Sequence, residues 1–92
     1  DVLRNRRDET LDLAGRHGAT NVRAFGSAAR GDSDDRSDID LLVEMQPGRS
    51  LLDMGGLLMD LQRLLGRRID IVTEKGLRAR IRERVLREAV PL

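Results

Sequence analysis

Ninety-two residues and 10.3 kDa are enough for a single domain over residues 1–92. Seventeen basic and sixteen acidic side chains leave a net charge of only +1, which argues against nucleic-acid binding through bulk charge. The lack of cysteine excludes disulfides, zinc–thiolate sites and a thiol nucleophile, one histidine excludes an imidazole pair, and the short apolar runs exclude a membrane span.

From Val2 to Arg16, good helix formers place Leu3, Leu11 and Ala14 near one face, and Gly18 supplies a stop. Asn21–Phe25 reads as a short strand running into Gly26-Ser27. Ala28, Ala29 and Gly31 then allow a turn with one turn of helix, and Asp32–Ser37 reads as a polar loop. Ser37–Val43 is the clearest strand: Ile39, Leu41 and Val43 alternate onto one face and leave Asp38 and Asp40 together on the other. Gln46-Pro47-Gly48-Arg49 breaks it.

Ser50 is placed to cap the next helix, with Asp53 in its first turn. Leu51, Met54, Leu58, Leu61 and Leu65 form an apolar stripe there, widened by Leu57 and Leu64, and Gly66 ends the helix. Gly55-Gly56 weakens its first turns, which predicts a close neighbour against the backbone. Arg68–Thr73 is a third strand, with Asp70 between Ile69 and Ile71. A last helix, Leu77–Ala89, carries Leu77, Ile81, Val85 and Ala89 along one side, and Pro91 closes it. The order α-β-short α-β-α-β-α predicts an α/β or α+β domain with a small sheet. Leu, Ile, Val and Phe supply 26 residues for its core, which must be aliphatic because Phe25 is the only aromatic residue.

The near-zero net charge hides an uneven distribution. Asp32 to Glu44 holds six acids against one base, while Glu74 to Leu92 holds six bases against three acids. An acidic centre and a basic tail predict a cation site and a separate contact surface. Asp38 and Asp40 leave the same face of one strand, and Asp70 reaches the same point if its strand is a neighbour. Three uncompensated carboxylates would repel one another until one held its proton. A divalent cation removes the conflict, and an all-oxygen donor set favours Mg²⁺ or Mn²⁺. Paired ions of that kind serve phosphoryl or nucleotidyl transfer. Gly26-Ser27 follows a strand at a sharp bend, where backbone N–H groups and the Ser27 hydroxyl are suited to phosphate oxygens; Arg30 can add positive charge.

Two nearby motifs fail. Gly26-x-x-x-x-Gly31 lacks the lysine of a Walker A loop, having Asp32 instead, and Asp32-x-Asp34 lacks the fifth ligand and the glycine of an EF-hand.

Gly-Ser-Ala-Ala-Arg-Gly-Asp from Gly26, then Ser-Asp-Ile-Asp-Leu-Leu-Val from Ser37, then Asp70 on a strand, resembles the DNA polymerase β-like nucleotidyltransferase superfamily, and within it the minimal nucleotidyltransferase (MNT) branch. The resemblance implies a small mixed sheet flanked by helices. It implies that Asp38, Asp40 and Asp70 bind two Mg²⁺ ions, with Mn²⁺ a possible substitute, and that Gly26 and Ser27 hold the triphosphate of ATP. It further implies a partner: small members pair with a HEPN-domain toxin, act as its antitoxin, and in some pairs adenylylate a toxin tyrosine. A hetero-oligomer in the cytoplasm is the corresponding expectation, with no membrane and no direct nucleic-acid contact. Two rivals stay open: neutralisation of the toxin mainly by binding, and adenylylation of a small molecule. Asp32, Asp34, Asp35 and Glu44 read as solvated acids, Arg36 as surface, and His17 as a helix-end cation or surface residue. The basic last helix reads as a solvated face.

Overall fold

Alternating aliphatic residues at Ile39, Leu41 and Val43 build the strand around which the molecule is organised. The computed structural model describes residues 2–30 and 38–92. The polar loop expected over Asp32–Ser37, its acids Asp32, Asp34 and Asp35, and Arg36 lie outside the described residues. The elements are α1 (Val2–Asn5), α2 (Arg7–Arg16), β1 (Ala19–Phe25), α3 (Ser27–Arg30), β2 (Ile39–Met45), α4 (Leu51–Leu65), β3 (Ile69–Thr73), a 3-10 turn (Glu74–Gly76), α5 (Ala79–Glu88) and β4 (Val90–Pro91). The sheet order is β3-β2-β1-β4; β2 and β3 are parallel, joined through α4, while β1 is antiparallel to both β2 and β4.

Successive side chains of a strand leave opposite faces, and each face has its own core. On the first, Ile39, Leu41 and Val43 pack with Val22, Ala24 and Ile69 of the neighbouring strands and with Leu57, Leu61 and Leu65 of α4; Ala14 of α2 and Leu3 of α1 complete the layer. On the second, Leu42 packs with Leu77 and Val85, and Phe25, Val72 and Ala89 lie against them. Leu42, the one apolar residue out of phase in the strand pattern, is therefore fully buried beneath α5.

β1 needs a correction to simple alternation before it can serve both faces. The pairing Thr20↔Glu44 is followed by Arg23↔Leu42, so β1 carries one extra residue, and Asn21 takes a left-handed φ of 48°. This bulge lets Ala19 share the first face with Val22 and Ala24, and turns Arg23 and Phe25 to the second.

Four expectations change. The first helix is divided at Arg6 (φ −110°, ψ 24°), although Arg6 N–H still donates to the Val2 carbonyl and Thr10 N–H to that of Arg6. Leu51 is 83% exposed and not in the core stripe, because the first turn of α4 overhangs the sheet; burial begins with Met54 and is complete at Leu57. Ile81 is likewise exposed, so Leu77 and Val85 alone anchor that flank of α5. Pro91 does more than close α5: Val90–Pro91 form a fourth strand on β1, and the Leu92 N–H donates to the Val22 carbonyl.

The end signals of α4 act as their chemistry requires. Ser50 accepts from the Leu52 N–H and Asp53 accepts from the Ser50 N–H, and Gly66 closes the helix at a φ of 65°. The double glycine is split in purpose. A Cβ on Gly56 would lie 2.9 Å from His17 Cε1, whereas one on Gly55 would meet open space. His17 lies at the end of α2 with Nε2 2.7 Å from Asp60 of α4, so it ties two helices together.

Candidate active site

Asp40 and Asp70 have the strand parity of Leu42 and Val72, so their side chains leave the second face. In the parallel β2–β3 ladder they are direct register partners, with Cα atoms about 4.8 Å apart. Asp38 precedes Ile39 and therefore sits one residue before the strand rather than within it. Asp38 and Asp70 are exposed, and Asp40 is half-buried.

Among the described residues Asp40 and Asp70 have no hydrogen bond or salt bridge, and Asp38 has one ion pair, with Arg68 Nε at 3.9 Å. Burial, then the negative charge of Asp70, then that of Asp38, push the Asp40 carboxyl above its ordinary value. The fold thus keeps acids together without supplying enough positive charge.

The bend after β1 meets these acids directly. Phe25 is the cross-strand partner of Asp40, which delivers Gly26 to the Asp40 side chain. Gly26 has a φ of 65°, and a Cβ there would stand 2.7 Å from Asp40 Oδ2. Both facts require glycine: the left-handed backbone disfavours other residues, and the space is already taken. Ser27 opens α3 immediately afterwards. Arg30 ends it, exposed, with its N–H donating to the Gly26 carbonyl. Ala28 and Ala29 pack on the first core and hold this short helix to the sheet.

A divalent cation fits this donor set. All three candidate ligands are carboxylates, and the raised Asp40 carboxyl shows negative charge in need of a counter-charge. Among the described residues no three acidic, histidine or cysteine side chains already close around an ion-sized space. Asp38 and Asp70, being exposed, have the rotamer freedom to turn inward. An open groove of about 780 Å³ lies at the opposite ends of β2 and β3, lined by Val43–Arg49, Thr73–Lys75 and Arg82, and contains none of these acids.

The sequence analysis did not single out Arg68 or assign a site role to Phe25. Both follow from register: Arg68 stands beside Asp38 because Ile69 pairs with Ile39, and Phe25 opposes Asp40 because of the bulge. No described helix is long and apolar enough to cross a membrane.

Comparison with known proteins bears on this arrangement. Residues 5–92 match the family described as nucleotidyltransferase domain. The chain is 40% identical over 75 residues to a candidate protein adenylyltransferase of Methanocaldococcus jannaschii, covering 82% of this chain and 81% of that protein. It is 39% identical over 79 residues to the protein adenylyltransferase MntA of Thermococcus cleftensis, covering 86% and 80%. A solved structure described as a candidate minimal nucleotidyltransferase superposes with a TM-score of 0.90 at 55% identity, over all of this chain and 96% of that one. A toxin–antitoxin crystal structure with AMP-PNP shares the fold at a TM-score of 0.77 and 19% identity, over 91% of this chain and 69% of that one. A mixed sheet that brings spaced acids to a glycine-serine bend, together with these likenesses, leads to one conclusion: the chain is a nucleotidyltransferase and belongs to the nucleotidyltransferase domain family in its minimal form.

Proposed function

We propose that this enzyme transfers AMP from ATP to a hydroxyl, a tyrosine side chain, of a HEPN-domain toxin and thereby acts as the antitoxin of a cytoplasmic pair. The observation that carries the reading is the Asp40–Asp70 register pair with Gly26 seated against Asp40. The adenylyltransferase names of two relatives and the AMP-PNP of the toxin–antitoxin structure support the nucleotide and the partner.

Asp38, Asp40 and Asp70 would hold Mg²⁺, or Mn²⁺ in its place. When bound, such ions supply charge neutralisation at the phosphates and lower the pKa of an adjacent hydroxyl. The Gly26–Ser27 backbone and the Ser27 hydroxyl hold phosphate oxygens, and Arg30 adds positive charge beside them. The Asp70 carboxylate takes the proton of the accepting hydroxyl. That oxygen then bonds to the α-phosphorus as the bond from α-phosphorus to the bridging oxygen breaks, and pyrophosphate leaves.

The test is incubation of the protein with ATP labelled at the α-phosphate, Mg²⁺ and the protein encoded beside it. Label should pass to that partner, and Asp38→Ala/Asp40→Ala should abolish the transfer. Equal labelling by the double variant would defeat the reading.

A second reading, neutralisation by binding alone, draws on Leu51 and Leu52, which are 83% and 87% exposed at the start of α4. Under it, the double variant protects cells from the toxin as well as the unaltered protein does.

A further inference from the structure

Arg68 is the residue immediately before β3, and its carbonyl accepts from the Ile39 N–H at 2.9 Å. That bond fixes the start of the parallel ladder and holds the Arg68 backbone beside Asp38. Its guanidinium Nε is 3.9 Å from Asp38 Oδ1, while the side chain remains 86% exposed. Exposed pairs of this length contribute little to folding, so stability does not account for the placement. The electrostatic setting is more informative. Asp38, Asp40 and Asp70 form a cluster of acids, and among the described residues Arg68 makes its only salt bridge.

We infer that Arg68 is a built-in counter-ion for the acid cluster, which occupies Asp38 while no divalent cation is bound and competes with that cation for the carboxylate. This rests on the reading that the three acids hold such a cation. An arginine suits the part because its charge is permanent and its long stem lets the head swing clear without moving β3. Its effect is to raise the cation concentration at which the site fills, so the charge at position 68 tunes the threshold for loading. Two unit charges about 4 Å apart in a water-like medium interact strongly enough to change an equilibrium about three- to fivefold, and salt screens that effect.

Equilibrium binding of Mn²⁺ alone, followed by calorimetry or by the paramagnetic signal of the free ion, tests the inference without any turnover. The unaltered protein, Arg68→Gln, Arg68→Lys and, as a control for net charge, Arg16→Gln are compared at about 0.02 M and about 0.5 M salt. Arg16 is paired with Asp12 on α2, away from the acids. Arg68→Gln should bind Mn²⁺ about three- to fivefold more tightly at low salt, with the gain shrinking at high salt. Arg68→Lys and Arg16→Gln should stay near the unaltered value. Equal or weaker binding by Arg68→Gln, or the same gain in Arg16→Gln, would overturn the inference. Absence of saturable Mn²⁺ binding by the unaltered protein would remove the cation site and this inference with it. Normal binding there with no change in Arg68→Gln would remove the inference alone.

Discussion

The two faces of the sheet are built to different rules. The first is covered by α1, α2 and α4 and buries a continuous aliphatic layer, with Leu41 and Leu57 at 0% exposure and Ile39, Val43 and Leu61 at 1%. The second has a small apolar cluster beneath α5, and the acids occupy the rest of it. Close packing makes the first face sensitive to volume. On the second, Asp40 is held near other negative charge at a cost to folding. The contrast places most of the stability on one side of β2 and the chemistry on the other, although the same seven residues build both.

Changes on each face should therefore fail differently. The largest effect is expected from Leu61→Ala, which opens a cavity in the first face and should cost about 2–5 kcal/mol in urea unfolding. A loss below about 1 kcal/mol would mean that this layer is not close-packed. Gly26→Ala, at the second face, should cost roughly 1–2 kcal/mol from its left-handed backbone. The added Cβ also displaces Asp40 Oδ2, so nucleotidyl transfer should fall far more than stability does. Retained activity would show that the bend and the acid act independently.

The double glycine of α4 offers a smaller and internal test. Gly55→Ala should raise stability by about 0.5–1 kcal/mol, since nothing lies near its Cβ and helix interiors disfavour glycine. Gly56→Ala should lower it, because the methyl meets the His17 ring that reaches Asp60. Equal effects at both positions would remove the proposed reason for Gly56.

The smallest effect carries the opposite sign. Asp40→Asn should raise the melting temperature at pH 7 by a few degrees in metal-free buffer while abolishing transfer. The folded-state pKa of Asp40 is raised, first by burial and then by Asp70 and Asp38, so its ionised form opposes folding at neutral pH. That opposition is relieved as pH falls through the raised value. The gain from Asp40→Asn should accordingly vanish in acid, and one that persists there would assign it to packing.

Much of this division is legible in the residues, and the exceptions are instructive. Alternation in Ile39–Val43 separates core from acids, yet it conceals Leu42, whose burial depends on a helix more than thirty residues later in the chain. The spacing of Asp38 and Asp40 is local, but the pairing of Asp40 with Asp70 depends on how α4 returns the chain to the sheet. Position in the helix, not hydrophobicity, decides that Leu51 is exposed while Leu57 is not. A two-residue strand ending in proline has no periodic signal at all, which is why β4 reads as a terminus.

The extra residue near Asn21 has a consequence for how such a chain can vary. Shortening β1 by one position between Thr20 and Arg23 would reverse the facing of every side chain on one side of the cut relative to the other. Either the arginine and phenylalanine would be driven into the aliphatic layer, or the following bend would be carried away from its acid. Substitutions in this stretch can be absorbed one at a time, whereas a three-nucleotide deletion in the coding sequence would uncouple folding from catalysis in a single step.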